Sequence, residues 1–412
     1  MPAPGTHTPE SRFSPHHPNH TPPLIPPARY TKLMSTQDNN QPIYSKGLKG
    51  IVANETRLSD VRGEEGRLLY CGYDIEDLVD LCSYGEVIYL LLNRRLPNRA
   101  ELEGLRQRLR HDRELPQPIL DFFKSATKTA RPMSALRTAV SMLGMYDDRT
   151  KDPSQMKEIG LSLIAKIPVM AAYYYRICQG LDLPPIRTDL DEAAHFLWLL
   201  KGKEPDPNEA HILDVAYILH ADHGMNASTF ASRLTASTLS DIYSCITSAI
   251  GTLKGPLHGG ANEAVIEMLK EIGEESNVEA YINDKLAHKE KIFGIGHRVY
   301  RVLDPRAPQL RRIAIRLTQT IGEPKWIRMS DMIAKIMRER KNLNANVDFY
   351  SATVYYSLGI PTRMFTTVFA IARVAGWVAQ ILEQLEDNAL YRPLSRYVGP
   401  SEPLLVPMLD MR

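Results

Sequence analysis

Four short segments of the sequence carry side chains suited to proton transfer or to the binding of a charged ligand. His258 stands in GPLHGGANEAV, between a proline and two glycines and just before a predicted helix. His297 follows the Gly-x-Gly turn of FGIGHRVYRVLDPRAP, and Asp348 opens the predicted helix of NVDFYSATVYY. His220 and His223 are three residues apart in ILHADHGMNAS, which predicts that both lie on one face of a helix.

Each segment also has a purely structural interpretation. Asp348 would serve as the N-cap of its own helix, since Asp is favoured there. The HxxH spacing fits half of a zinc site, but neither an HExxH motif nor a nearby cysteine accompanies it. Gly294 and Gly296 lack the third glycine of a dinucleotide-binding fingerprint. We therefore expect no metal site, and a metal-dependent hydrolase built on the histidine pair stays open as a distant alternative.

The elements that must position these residues are mainly α-helical. From Gly47 onward, apolar residues recur at helical spacing, and proline or glycine separates one such run from the next. Only GLKGIVANETRLSDVRGEEGRLLYCGYDI alternates weakly, which predicts a few short strands near the N-terminus. No repeat of fixed period is present, which argues against a helical solenoid.

One predicted helix, MFTTVFAIARVAGWVAQIL at 364–382, is apolar nearly all round. Such a helix is either fully buried in protein or spans a membrane. Arg373 lies at its centre, and a central arginine in a bilayer costs about 2.5–3.5 kcal/mol. We therefore expect a buried core helix in which Arg373 is paired with a carboxylate, either of the protein or of a ligand.

The composition is that of a globular protein in a reducing compartment. Of the 412 residues 43% are apolar and 24% are charged, and the net charge of +2 gives no bulk attraction to nucleic acid or to a membrane. The four cysteines are scattered without metal spacing, so we expect free thiols and a cytoplasmic location. Residues 1–33, rich in proline and histidine, are expected to be a disordered extension or to precede a true start at Met34.

Taken together and in this order, the motifs resemble those of citrate synthases and the related 2-methylcitrate synthases. The resemblance rests on GPLHGGANEAV, GIGHRVYRVLDPRAP, NVDFYSATVYYSLGIP and IARVAGWVAQILEQ, and it extends over the chain from residue 45 onward. It implies a mainly helical fold of two domains. The large helical domain would comprise 34–259 and 354–412, including a C-terminal arm, and a small mobile helical domain, 260–353, would close over it.

The resemblance also implies a reaction and three catalytic residues. The family condenses an acyl-CoA with a 2-oxo dicarboxylate and then hydrolyses the thioester. Asp348 matches the base that removes a proton next to the thioester carbonyl. His258 matches the donor to the enolate oxygen, and we expect it to be neutral because the helix N-terminus that follows disfavours a second positive charge. His297 matches the donor that polarises the 2-oxo group.

Further residues match the family's binding groups. His223 matches a histidine that contacts the 2-oxo acid, and Arg306, Arg373 and Arg392 match the arginines that bind its carboxylates. In the family the third arginine reaches across a homodimer interface, so Arg392 would serve the neighbouring subunit. The residues expected to contact coenzyme A are Arg301 and, as weaker matches, Arg298, Lys254 and Lys291.

The expected activity is that of a citrate synthase. Acetyl-CoA, oxaloacetate and water would give citrate and coenzyme A, the first step of the tricarboxylic acid cycle. The alternative within the family is a 2-methylcitrate synthase that uses propionyl-CoA, or an enzyme with dual specificity. One methylene group is worth only about 1–3 kcal/mol of discrimination, and the sequence leaves this choice open. No cofactor is expected, because the coenzyme A thioester is a substrate.

Overall fold

A computed structural model describes residues 44–411 of the chain. The chain divides into two compact units, Met1–Ile51 with Leu394–Arg412, and Val52–Pro393. In the described part of the first unit, Lys46–Leu48 and Leu409–Met411 form short 3-10 turns, and many large apolar side chains of 394–411 are exposed. The predicted extension 1–33 lies outside the described residues, and the predicted domain limits at 260 and 353 stay a prediction.

The second unit begins with the predicted short strands. Ser59–Arg62 (β1), Arg67–Tyr70 (β2) and Tyr73–Asp74 (β3) form an antiparallel sheet in the order β1-β2-β3. Ser59 is paired with Tyr70 in the first ladder. The rest of the unit is almost entirely helical, which confirms the predicted fold class.

Sixteen α-helices follow in the described chain. The first eight are Ile75–Leu81 (α1), Tyr84–Asn93 (α2), Arg99–His111 (α3), Gln117–Ser125 (α4), Pro132–Leu143 (α5), Met156–Gln179 (α6), Glu192–Lys201 (α7) and Pro207–His220 (α8). The second eight are Ala227–Ser237 (α9), Ile242–Leu253 (α10), Ala261–Ile272 (α11), Val278–Ala287 (α12), Arg306–Thr320 (α13), Lys325–Lys341 (α14), Val347–Ser357 (α15) and Phe365–Glu386 (α16).

Helix α16 is the centre of the packing. It contacts α2, α5, α6, α8, α9, α10 and α11, and nearly all of its side chains are buried. Within the described residues one helical stretch, Thr362–Glu386, is long and apolar enough to cross a membrane. Its apolar window is 94% buried inside the protein. This burial is that of a core helix, as expected from the position of Arg373.

Side-chain caps fix where several helices begin. Ser83 and Glu86 form a capping box at the start of α2, which separates α1 from α2 within one apolar run of the sequence. Asn226 caps α9 by accepting from the backbone N–H groups of Ser228 and Thr229. Asn346 caps α15 in the same way, by accepting from the N–H of Asp348 at 3.0 Å.

Close backbone packing against α16 depends on one glycine. A Cβ atom on Gly376 would lie 2.1 Å from the carbonyl oxygen of Ala221 and 2.9 Å from Oδ1 of Asp222. The segment that follows α8 can therefore lie against α16 only because position 376 has no side chain. Gly376 and Arg373 are three residues apart, so they share one face of the helix.

Gly376→Ala is therefore expected to destabilise the protein although alanine is the better helix former. We expect the free energy of unfolding to fall by about 1–3 kcal/mol because the added methyl group must displace backbone. Gly104→Ala is the matched control, because position 104 lies within α3 and a Cβ there meets no atom within 4 Å. The free energy of unfolding of that variant should rise by up to about 1 kcal/mol. Equal thermal unfolding midpoints for the two variants would contradict this account.

Candidate active site

The predicted site residues lie at helix ends and in the middle of α16. His223 follows the end of α8, His258 precedes α11, and His297 lies between α12 and α13. Asp348 is in the first turn of α15, and Arg373 is near the midpoint of α16. Helices α9, α11, α13 and α15 all begin close to these residues in sequence, and a helix N-terminus offers free N–H groups to an anion.

The prediction that His220 and His223 share one helix face is wrong. Helix α8 ends at His220, whose Nδ1 lies 2.7 Å from the carbonyl oxygen of Ala216 within the same helix. His223 lies beyond the helix end, and its Nε2 is 3.2 Å from the hydroxyl of Tyr300. Among residues 44–411, no group of three or more His, Cys, Asp or Glu side chains could hold a metal ion.

His223, His297 and Tyr300 form one contact group. The ring centroids of the two histidines are 5.4 Å apart, and that of Tyr300 lies 4.8 Å from His297 and 5.6 Å from His223. Burial lowers the pKa of His223 well below its usual value, and the nearby Arg306 acts in the same direction. His223 is therefore neutral at physiological pH.

The hydrogen bonds of His297 determine which ring nitrogen carries its proton. Nδ1 accepts from the backbone N–H groups of Val299 at 3.0 Å and of Tyr300 at 3.1 Å. Burial and, to a smaller extent, the charge of Arg306 lower the pKa of His297 to about 4, so the ring is neutral at pH 7. A neutral imidazole that accepts at Nδ1 carries its proton on Nε2. His297 can therefore donate one hydrogen bond from Nε2 to a ligand.

Arg306 is buried and already has a carboxylate partner. Its Nε and Nη2 donate to the two oxygens of Asp304 at 2.9 and 2.8 Å, and its backbone N–H donates to Oδ1. Burial alone would lower the pKa of Arg306, but the Asp304 carboxylate overcomes this and raises it. The pair fixes the guanidinium in one orientation, so a ligand carboxylate would meet the edge that Asp304 does not take.

His258 is held by the start of α9. Its Nε2 lies 2.8 Å from the hydroxyl of Ser228 and accepts from the backbone N–H of Ser228 at 3.3 Å. The indole N–H of Trp377 donates to the same hydroxyl at 3.2 Å. Accepting at Nε2 favours the tautomer that carries its proton on Nδ1. Burial, followed by the charge of Arg373, lowers the pKa of His258 to about 4, so the neutral state arises from these two causes.

Asp348 is a half-buried residue in the first turn of α15. Its Oδ1 is inaccessible to solvent and has no hydrogen-bond partner among the described protein groups. Burial raises its pKa to about 7, and Arg306 opposes the shift only in part. The interpretation of Asp348 as a helix cap is wrong, because Asn346 caps α15 and leaves the carboxylate free for another use. A carboxylate with these properties can accept a proton near neutral pH.

Arg373 is 1% exposed, and its direct contacts in the structure are with uncharged groups. Its Nε donates to the carbonyl oxygen of His220 at 2.5 Å, and its guanidinium lies 4.8 Å from the ring centroid of Phe369. Burial lowers its pKa, while the nearby Asp222 opposes this shift. Within the part of the chain that the structure describes, Arg373 forms no ion pair with a carboxylate. A charge buried in this way suits the carboxylate of a ligand.

The remaining predicted residues lie at the surface or in part at the surface. Arg392 is exposed and donates to the carbonyl oxygen of its neighbour Pro393 at 3.2 Å. Arg298, Arg301 and Lys291 are exposed near His297 in sequence, and Lys254 is half-buried just before His258. The structure therefore brings six of the predicted residues into one region. Three of them, His223, Arg306 and Arg373, are buried, and His258, His297 and Asp348 are half-buried.

A small cavity adjoins this region. It has a volume of about 210 Å³, and its lining includes His297, Tyr300, Asp304 and Asn344. Three polar groups of the site, Tyr300, Asp304 and Ser228, were not predicted. The first two stand within the segment that carries His297, and Ser228 follows the N-cap Asn, so their positions in the motifs were the available signal.

The raised pKa of Asp348 has a consequence for stability. The folded state binds a proton at this carboxyl more tightly than the unfolded state, so stability is lost as the pH rises from about 3.8 to about 7. Asp348→Asn cannot ionise and is expected to unfold at a higher temperature than the wild type at pH 8, with a gain of about 1–3 kcal/mol. The gain in the free energy of unfolding should grow as the pH rises from about 3.8 to about 7 and be constant above that range. If thermal unfolding showed the same stability gain for Asp348→Asn at every pH, the raised pKa of Asp348 would be contradicted.

Comparison with known proteins assigns the chain to a family. The model of the family "Citrate synthase, C-terminal domain" matches residues 47–394. The chain is 49% identical over 367 residues to "Citrate synthase 2" of Bacillus subtilis, covering 88% of this chain and 98% of that one. It is 40% identical over 365 residues to the 2-methylcitrate synthase of Shewanella oneidensis, covering 88% of this chain and 97% of that one.

Solved structures agree with this assignment. Citrate synthase from Thermotoga maritima superposes with a TM-score of 0.82 at 37% identity, covering 90% of this chain and 99% of that one. Citrate synthase from Thermoplasma acidophilum, solved as a ternary complex with carboxymethyl coenzyme A and oxaloacetate, superposes with a TM-score of 0.84 at 31% identity, covering 89% of this chain and 99% of that one. The chain therefore belongs to the citrate synthase family and is an enzyme of the citrate synthase type.

Proposed function

We propose that this enzyme condenses acetyl-CoA with oxaloacetate and hydrolyses the resulting citryl-CoA to citrate and coenzyme A. The observation that carries the proposal is the presence in one region, around the buried Arg306 and Arg373, of a carboxylate with a pKa near 7 and two neutral imidazoles. Carbon–carbon bond formation next to a thioester requires a base for a weakly acidic proton and donors for two oxygens that gain negative charge.

The first step is proton removal from the acyl group. The ionised Asp348 takes a proton from the carbon next to the thioester carbonyl, and the electron pair of that C–H bond forms the enolate. His258 donates to the enolate oxygen from Nδ1, the nitrogen that its contact with Ser228 leaves protonated. A neutral donor suits this step, because burial and Arg373 keep the ring uncharged at the pH where Asp348 is ionised.

The second step joins the two substrates. The enolate carbon attacks the 2-oxo carbon of oxaloacetate, and the carbonyl oxygen becomes a hydroxyl by accepting a proton. His297 is the donor to that oxygen, since its Nε2 carries the ring proton. Water then attacks the thioester carbonyl, and coenzyme A leaves as the thiol. The reaction balances as acetyl-CoA, oxaloacetate and water to citrate and coenzyme A, and it requires no cofactor.

Two buried arginines support a dicarboxylate as the second substrate. Arg373 has no carboxylate partner among the described residues, and Arg306 is held in a fixed orientation by Asp304. Both cations are close enough to His223 to lower its pKa. A ligand with two negative charges would compensate the excess positive charge of this region.

The assembly of the enzyme is also part of the proposal. We expect a homodimer in which Arg392 of one subunit binds a carboxylate in the site of the other. Support comes from the exposure of Arg392 and from the large exposed apolar side chains of the C-terminal segment: Leu394, Tyr397, Val398, Leu404, Leu405, Val406 and Met408.

The exposed Arg301, Arg298 and Lys291, together with Lys254, would meet the phosphates of coenzyme A. The four free thiols support a cytoplasmic location.

A second candidate is a 2-methylcitrate synthase, which would accept propionyl-CoA in place of acetyl-CoA. The observation that favours it is the 40% identity over almost the whole chain to a relative of that name. We rank it second because the identity to a relative named citrate synthase is 49% over the same share of the chain.

Release of the coenzyme A thiol tests the proposal and separates the two candidates. With oxaloacetate present, we expect kcat/KM for acetyl-CoA to exceed that for propionyl-CoA by about 10-fold or more. Asp348→Asn is the matched control, because it preserves shape and removes the base, and it should lose at least about 100-fold in kcat. A preference for propionyl-CoA would establish the second candidate. No thiol release from either substrate would refute both.

Arg373 is expected to act on oxaloacetate binding. Arg373→Leu removes the unpaired buried cation, so the dissociation constant for oxaloacetate should rise by at least about 30-fold when measured by calorimetry. Arg176→Leu is the matched control, because Arg176 is also buried and donates to backbone carbonyl groups of Asp182 and Leu200. That variant should bind oxaloacetate as the wild type does. Unchanged affinity in the Arg373 variant would remove this residue from the site.

A further inference from the structure

Tyr300 is a buried phenol whose hydroxyl has one side-chain partner among residues 44–411, His223. The hydroxyl oxygen lies 3.2 Å from His223 Nε2, and the residue is 4% exposed. The same ring packs against His297 with centroids 4.8 Å apart. One side chain thus contacts both histidines of the region in which the 2-oxo acid is proposed to bind.

The backbone around Tyr300 is held from two sides. Its N–H donates to Nδ1 of His297, and the N–H of the next residue, Arg301, donates to the carbonyl oxygen of Gly63 at 3.0 Å. A Cβ at Gly63 would come within 2.5 Å of the carbonyl oxygen of Val299, so the turn between β1 and β2 lies directly against this segment. The position of the phenol is therefore a product of tertiary packing, and the side chain has little freedom to move.

The charges around the phenol determine the direction of its hydrogen bond. Burial raises the pKa of Tyr300, and the hydroxyl therefore keeps its proton at neutral pH, although Arg306 opposes the shift. His223 is neutral for the reasons given above and so has one nitrogen that can accept. A phenol is the stronger donor of the pair and an imidazole nitrogen the stronger acceptor, so the Tyr300 hydroxyl donates to Nε2. His223 then carries its own proton on Nδ1.

We propose that Tyr300 is a positioning residue for the 2-oxo acid, whose hydroxyl fixes the ring orientation and the tautomer of His223. The inference rests on the proposed function. Without the hydroxyl the ring of His223 can rotate and exchange tautomers, and part of the population then presents the wrong nitrogen to a bound oxaloacetate. The described contacts of Tyr300 are to His223 and His297, so its influence is on the oxaloacetate half of the site and not on the acyl-CoA half.

Tyr300→Phe tests this, because it removes one oxygen atom and keeps the ring that packs on both histidines. We expect KM for oxaloacetate to rise by about three- to ten-fold, the usual effect of one lost hydrogen bond. KM for the acyl-CoA should change by less than about two-fold. A residue with only a structural role would not separate the two constants in this way.

Two further measurements make the result decisive. Tyr243→Phe is the matched control. It deletes a hydroxyl on α10 that donates to the carboxylate of Asp147 at 2.6 Å, and it should leave both KM values unchanged. In a His223→Ala background, Tyr300→Phe should have no further effect on oxaloacetate binding, because the hydroxyl acts through His223.

The outcomes separate the inference from the proposed function. A wild-type enzyme without thiol release would refute the proposed function and with it this inference. An active wild type whose Tyr300→Phe variant keeps its KM for oxaloacetate, or raises both KM values equally, would refute the inference alone. An additive effect of the two substitutions would refute it as well.

Discussion

The buried guanidinium of Arg373 is the constraint on which the arrangement of the site depends. It lies in the middle of α16, a buried helix whose other residues are mostly apolar. Removing such a charge from water costs several kcal/mol unless other groups compensate. The compensation here comes from the carbonyl oxygen of His220, the face of Phe369 and the more distant charge of Asp222. Phe369 belongs to α16 itself, whereas His220 and Asp222 can act on Arg373 only because the end of α8 and the segment after it lie close against α16, which Gly376 permits.

The same burial determines the protonation of the ionisable groups nearby. The cations repel protons from the surrounding imidazoles, and the low polarity of the interior acts in the same direction, so His223, His258 and His297 are neutral donors or acceptors. For the carboxyl of Asp348 burial has the opposite effect and raises the pKa toward neutrality. A base and neutral donors therefore coexist at one pH. The cost is a carboxylate whose Oδ1 has no hydrogen-bond partner among the described residues, a local loss of stability of the kind that functional sites accept.

Hydrogen bonds between distant segments turn these groups into a defined geometry. His258 is joined to the start of α9 through Ser228, and Trp377 of α16 donates to the same hydroxyl. His297 is fixed by the N–H groups of its own turn, and Arg306 by Asp304 two residues earlier. Each ring or guanidinium thus has one edge occupied by the protein, and in the proposed mechanism the opposite edge meets the substrate. This division is a form of preorganisation, because the donors need not reorient when charge develops.

The sequence by itself determined the helical class, the short strands, the buried nature of α16 and six of the residues that meet in the candidate site. Periodicity and motif order are local properties of a chain, and they survive without knowledge of the packing. The tertiary structure decided the rest. It separated His220 from His223 by ending α8 between them, gave the cap of α15 to Asn346, and paired Arg306 with Asp304. It also brought Tyr300 to His223 and Ser228 to His258, residues 77 and 30 positions apart. Such contacts, and the burial that shifts every pKa in the site, depend on how helices pack against one another, which no local pattern encodes.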